Sequence, residues 1–417
     1  MSNGVGPGRG REMRLLLWPS LILVAGYGYM ATLATDRPAW SPDYALVLLL
    51  AGYWGVHFIL KAVRHGGDEY LFPLAAMLTA LGLVFLYRLD AGLAYRQIIW
   101  TAVGLLVFIV VAVGFRDYQR LEQYPYLFLS LGLFFLVITV LMGTRIGGAK
   151  SWLTLGTFRM QPVEAVKVLM VMYLTGYLSE KRELLVQGGG RSAWGPLLVV
   201  VCLAVFLLVL QRDLGSALIL LVTFLAMLYL STERLRFCLA GGALFGVGAV
   251  LAYLIFPHLR TRINVWLDPW ADYSGAGYQI VQSLITLGSG GIFGTGLGLG
   301  YSQVIPAVAT DFIFATMGEE MGLMGSLGVI LLYLLFSIRG FRAALKATDE
   351  QGVLLAGGLT ILITFQALII IAGVTKLLPL TGVTLPFVSY GGSSLVISYL
   401  LLALILNVSE TGGEIKP

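Results

Sequence analysis

The feature that most restricts this chain is its series of unbroken apolar runs, each roughly 18 to 22 residues long, enough to cross about 30 Å of hydrocarbon at about 1.5 Å per residue. Twelve such runs fall near 14–35, 43–63, 70–88, 97–115, 124–143, 162–179, 196–211, 213–231, 235–256, 323–341, 352–374 and 389–408. Backbone groups in lipid must find partners within the protein, and alternating ten-residue strands are absent, so the runs are helices and not a barrel. Of 417 residues, 58% are hydrophobic and 12% charged, against about 25% charged in a soluble domain. A water-soluble fold is excluded. The expected fold class is all-α: a polytopic membrane helical bundle of about 12 transmembrane helices with a long extracytoplasmic loop at 257–322.

The charges report topology. With the N-terminus inside, sixteen of the 27 Lys and Arg residues fall on the cytoplasmic side and ten outside, with Lys167 left within a helix. That asymmetry follows the positive-inside rule and puts both termini in the cytoplasm. It also explains the net charge of +5 better than a nucleic-acid partner does. Cys202 and Cys238 lie inside apolar runs and are expected to behave as small buried hydrophobes, with no disulfide framework or metal cluster. No small-residue cleavage site follows the first run, so it is expected to be a retained helix.

Two outside loops carry most of the polar character, 144–161 and 257–322. Within the second, residues 276–300 are too glycine-rich to span and too apolar to float in water, so they are expected to lie in the interface or re-enter the protein. No internal repeat of the inverted-transporter kind is present.

Polar groups at membrane depth cost roughly 2.5–3.5 kcal/mol each on insertion scales, which makes them functional candidates. Glu164 and Lys167, three apart at the start of the sixth run, share a helix face. They form either a self-neutralising ion pair or part of a polar cavity. Lys150, Trp152 and Arg159 sit at headgroup level, as a belt with snorkelling cations or as an anion site. In the tight turn at 211–215, Asp213 could cap the next helix, while Arg212 pairs with it or faces the cavity. Gln279, Gln282 and Ser283 precede a run of glycines that would let backbone amides approach a phosphate or sugar. Asp311 enters an apolar stretch beside Thr310. Desolvation there raises a carboxyl toward the range of a general base, and the competing role is a helix cap. Lys376 and the stretch 378–394, including Ser389, bring Pro, Gly and hydroxyl groups to the outer start of the last helix. Glu319 and Glu320 read as structural.

Seven segments together resemble the SEDS family (shape, elongation, division and sporulation; RodA/FtsW-like). They are Gly148-Ala149-Lys150-Ser151-Trp152-Leu153, Gln161-Pro162-Val163-Glu164 with Lys167, Asp213-Leu214-Gly215, Gly277-Tyr278-Gln279 with Gln282-Ser283, Gly288-Ser289-Gly290-Gly291, Thr310-Asp311-Phe312-Ile313-Phe314-Ala315, and Leu385-Pro386-Phe387-Val388-Ser389-Tyr390-Gly391-Gly392-Ser393-Ser394. The resemblance runs from about 70 to 408. Ala309, Ala307, Val163 and Arg212 depart from the family pattern, where His, Glu, Ser and Pro are usual. The implied organisation is an N-terminal extension with two extra helices at 1–69, a transmembrane glycosyltransferase core at 70–408 and a cytoplasmic tail at 409–417.

The resemblance also implies the chemistry: a peptidoglycan glycosyltransferase polymerising lipid II during elongation or division, in the bacterial cytoplasmic membrane with its site facing outward. The C4 hydroxyl of one sugar would attack the anomeric carbon of another and expel undecaprenyl diphosphate. An α donor giving a β product needs one inverting displacement and a single base, assigned to Asp311. Lys150, Arg159, Arg212, Lys376 or a divalent cation (Mg or Mn) would hold the diphosphate; no organic cofactor is implied. Implied partners are the nascent glycan strand, a class B penicillin-binding protein (a transpeptidase) and membrane lipids. The alternative is a lipid II flippase, against which stand the missing inverted repeat and the concentration of polar motifs on one face.

Overall fold

The computed structural model describes residues 9–33, 42–146, 149–156, 158–186 and 190–411. In chain order the helices are α1 (Gly10–Leu33), α2 (Pro42–Ala62), α3 (Leu71–Leu89), α4 (Ala91–Gly114) and α5 (Pro125–Met142). Three short strands follow: β1 (Thr144–Ile146), β2 (Ala149–Leu155) and β3 (Phe158–Met160). Next come α6 (Pro162–Val186), α7 (Gly190–Leu210), α8 (Leu214–Thr232), α9 (Leu235–Ile255), α10 (Pro257–Leu267) and α11 (Tyr278–Ser289). The last three helices are α12 (Ile313–Lys346), α13 (Glu350–Val374) and α14 (Gly392–Thr411).

Among the described residues, 11 helices are long and apolar enough to cross a membrane. The twelfth expected run is α6. Its 25 residues suffice for a crossing, but Glu164, Lys167 and the charged stretch 180–183 dilute its apolar character. It packs against α5, α8 and α13 inside the bundle, so protein rather than lipid surrounds its charges. By contrast α9 has no buried residue and lies at the periphery. Cys202 is exposed on α7 and not buried as expected, because that face of α7 meets no other helix.

The 144–161 loop is not irregular. It folds into an antiparallel sheet of order β1-β2-β3, with Leu153 opposite Met160 and Thr154 opposite Arg159. Strands this short leave too little alternation to be read from sequence. Gly148 of the expected motif lies outside the described residues, as do 412–417 of the tail.

The helix expected at 323–341 begins earlier and is broken. Gly322 has φ 68° and ψ −167°, conformations open to glycine, and it separates a short segment at 313–321 from the long one at 323–346. A break at membrane depth orphans backbone groups. The glycine-rich stretch 290–296 supplies their partners: Thr295 and Gly296 N–H donate to the carbonyls of Glu319 (2.9 Å) and Glu320 (3.1 Å), while Leu323 and Met324 N–H donate to Gly291 (2.9 Å) and Ile292 (3.2 Å). Only glycine permits this approach. A Cβ on Gly290 would sit 2.1 Å from the Gly318 oxygen, and one on Gly294 2.2 Å from the Glu320 oxygen. The glycine run, expected to cradle a phosphate or sugar, closes on the protein instead. Glu319 and Glu320 are structural: Gly298 N–H donates to Glu320 (2.8 Å), Tyr301 N–H to Glu319 (3.0 Å), and Arg88 pairs with Glu320. As for the stretch 276–300, α11 packs on α12.

The first two helices are fastened to the rest. Gly26 of α1 seats against Val84 of α3. Buried Glu12 meets His57 Nδ1 at 2.7 Å, and His65 Nε2 lies 3.0 Å from Asn407 Oδ1 on α14.

Candidate active site

Asp311 sits where a tight turn delivers the chain to α12. Ala307, at φ 57°, lets its carbonyl accept the N–H groups of both Thr310 (3.1 Å) and Asp311 (3.0 Å). The residue bounding α12 is Phe312, and no side chain caps that helix. Of the two roles expected for Asp311, capping is therefore not the one it plays. Its carboxylate is half-buried and lies against Gly382, where an added Cβ would be 3.5 Å from Oδ2. Burial pushes the carboxyl above its ordinary value, while a hydrogen bond with Thr310 and the field of Arg262 draw it partly back. A carboxyl raised in this way is a stronger base, once ionised, than a solvated carboxylate.

The opposite wall is the irregular stretch 381–391, many of whose backbone groups are paired within the protein. Ser389 Oγ accepts Leu385 N–H (2.9 Å) and donates to the Thr310 carbonyl, and Tyr390 N–H donates to the Ala309 carbonyl (2.9 Å). Gln97 of α4 brackets the same stretch, donating to the Ser389 carbonyl (3.0 Å) and accepting Gly391 N–H (3.2 Å). Tyr333 OH donates to the Pro386 carbonyl (2.5 Å). Ser389 and Thr310 are thus joined beside Asp311, so the segments 310–315 and 385–394 meet in space.

A buried polar chain lies behind this wall. Lys167 Nζ donates to Glu164 Oε1 (3.0 Å) and to Gln366 Oε1 (2.6 Å), Gln366 Nε2 donates to the Thr384 carbonyl (2.8 Å), and Thr384 Oγ1 donates to Ser394 Oγ (2.8 Å). Asp213 caps α8, accepting Ser216 N–H (3.0 Å) and Oγ–H (2.9 Å). Burial raises its carboxyl, opposed by those bonds and by Lys167. Gly215 seats against Thr381 and Val383, which brings the start of α8 to the same wall.

The expected cations divide. Lys150 Nζ is engaged by the Val140 (2.5 Å) and Leu141 (3.2 Å) carbonyls at the end of α5, and Lys376 Nζ reaches the Leu267 carbonyl (3.3 Å). Arg159 on β3 and Arg212, at φ 62° in the α7–α8 turn, are exposed, and Trp152 on β2 is half-buried. Lys150 N–H donates to the Gln211 carbonyl (2.8 Å), which ties the sheet to that turn. Gln279 Nε2 contacts the Pro306 carbonyl at 3.4 Å, Gln282 is half-buried on α11, and Ser283 is buried with its hydroxyl on the Val374 carbonyl (3.0 Å). Ser283 is thereby a packing contact.

Two residues of this region were given no role from the sequence. Arg262 on α10 acts on Asp311, and with Arg212 it acts on His258, whose imidazole is lowered first by burial and then by those two cations. Gln366 is an amide in the middle of the apolar helix α13, whose other amide, Gln351, lies in its first turn. The signal for it was the cost of an amide at membrane depth.

The FtsW/RodA/SpoVE family pattern, described as a cell cycle protein, matches residues 69–413. The chain belongs to that family. The peptidoglycan glycosyltransferase RodA of Mycobacterium tuberculosis is 38% identical over 425 residues, 96% of this chain and 90% of the relative. Stage V sporulation protein E of Bacillus subtilis is 34% identical, covering 82% of this chain and 97% of the relative. Among solved structures, a chain from a peptidoglycan synthase complex that coordinates polymerization and crosslinking superposes with a TM-score of 0.71 at 28% identity, covering 84% of this chain and 99% of that one. The rod shape determining protein RodA of Thermus thermophilus superposes with a TM-score of 0.62 at 29% identity, covering 82% and 96%. This family member is a multi-pass membrane protein with a nearly all-α bundle.

Proposed function

We propose that the chain polymerises lipid II by inverting glycosyl transfer, with Asp311 as the base. Peptidoglycan glycosyltransferase is the activity its family relatives are named for. The observation that carries the residue assignment is a half-buried carboxylate, raised by burial, set against Gly382 and not used as a helix cap. In the reaction the C4 hydroxyl of one lipid-linked unit loses its proton to Asp311 as its oxygen bonds to the anomeric carbon of the other, and the bond to undecaprenyl diphosphate breaks. Among the described residues, Arg262, Arg212 and Arg159 are cations near this end with no hydrogen-bond or ion-pair partner to compete for the growing diphosphate charge.

Among the described residues no group of three or more His, Cys, Asp or Glu could hold a metal. A Mg or Mn ion on the diphosphate, as Mg commonly binds substrate phosphates, would neutralise charge there. The site would face outward from the bacterial cytoplasmic membrane with both termini inside, and the glycan strand would pass to a class B penicillin-binding protein. Mycobacterial RodA relatives cover 96% of this chain while the FtsW and sporulation relatives cover 82%. That supports a role in elongation.

The test is lipid II polymerisation by the purified chain. Asp311→Asn keeps size and loses the base, so glycan product should vanish while unfolding behaviour stays as in the parent. Near-normal glycan synthesis would refute the assignment.

A further inference from the structure

We propose that Gln366 is the positioning residue of this site: by joining Lys167 to Thr384 it fixes the wall that faces Asp311. This rests on the reading of Asp311 above. Gln366 is 3% exposed, and Lys167 is 1% exposed. An ammonium only donates and a carbonyl only accepts, so the amide must turn Oε1 to Lys167 (2.6 Å) and Nε2 to the Thr384 carbonyl (2.8 Å). No other neutral side chain of this length offers an acceptor and a donor in that order. Two residues before Thr384 is Gly382, at φ 70° against Asp311 Oδ2; five residues after it is Ser389, whose hydroxyl holds the Thr310 carbonyl. Gln366 thus holds the middle of the stretch whose two ends contact the Asp311 turn, alongside Gln97 and Tyr333 further on.

The ammonium that Gln366 reads is itself held by Glu164 at 3.0 Å and feels Asp213, so α6, α8 and α13 all meet at the amide. Loss of the amide leaves the Thr384 carbonyl without its donor and lets this part of the wall relax away from Asp311. A misplacement of about 1 Å can cost about 10²-fold in rate. More water at Asp311 also reduces the desolvation that raises its carboxyl. Arg262 on α10 is the charged side chain acting on Asp311 from a neighbouring element, and Thr310 is its hydrogen-bond partner. Neither changes in the variant.

The experiment is lipid II polymerisation by the full chain in lipid, followed as kcat, KM and their pH profiles for the parent, Gln366→Met and Asp311→Asn. Gln366→Met, nearly the same volume, should lower kcat about 10²-fold, hold KM within about twofold, and move the acid limb of the remaining activity to lower pH. Parent-like kcat, or a loss of kcat with the acid limb unmoved, would overturn the proposal. Should Gln366→Met fail to fold, Gln366→Asn, which can serve Lys167 or Thr384 but not both, carries the same comparison with the same two outcomes. Asp311→Asn separates the readings. If it polymerises normally, the assignment of the base fails; if it is inactive while Gln366→Met matches the parent, only the positioning role fails.

Discussion

Glu164 and Lys167 offer a measurement of how dry the interior behind the site is. Their side chains are 5% and 1% exposed and 3.0 Å apart. Breaking a buried pair by removing one partner costs about 3–5 kcal/mol, because a charge is left without its counter-charge, while removing both is often close to neutral. Lys167→Met strands the Glu164 carboxylate and also takes a donor from Gln366. Glu164→Gln leaves the ammonium with Gln366 as its remaining close partner. The double variant leaves neither charge of the pair, only an amide oxygen short of a donor, at about 1–3 kcal/mol. Two single losses of about 3 kcal/mol or more, set against a double loss of at most about 3, give a coupling of about 3 kcal/mol or more. Graded denaturant unfolding in mixed micelles, read by tryptophan fluorescence on all four proteins, yields that coupling. A value below about 1 kcal/mol, as exposed pairs give, would show that water reaches the pair and that the wall behind Asp311 is not the dry support described here.

Two further predictions follow from the geometry. Asp311 must be ionised to act, its carboxyl is raised by burial, and Arg262 lowers it; Arg262→Gln should therefore raise it further and move the acid limb of kcat to higher pH, and an unmoved limb would show that Arg262 does not act on Asp311. Gly294→Ala puts a methyl 2.2 Å from the Glu320 carbonyl at φ 85° and should cost about 2–5 kcal/mol from left-handed strain and overpacking, whereas Gly248→Ala, with open space around it, should stay within about 0.5 kcal/mol; equal stability of the two would refute the stitching of the α12 break.

Much of the bundle is legible in the sequence because solvent preference is local. A run of some twenty apolar residues must be helical in lipid whatever surrounds it, so the spans were readable one by one, and the polar exceptions Glu164, Lys167 and Asp311 stood out by their cost. The structure sorted what those residues do. It made Asp213 a cap, tied Lys150 to the end of α5, and turned the glycine run from an expected phosphate cradle into the patch over the Gly322 break. Gln366 lies 199 residues from Lys167. Nothing local in either segment marks the other as its partner, since hydrogen-bond complementarity acts only once packing has brought the groups within about 3 Å. Which residues belong to the lipid and which to the interior was settled by the chain's own chemistry. Which carboxylate stays partly free, and what holds the wall facing it, was decided by the packing of α6, α8, α12 and α13, because burial and pairing are properties of neighbours and not of residues.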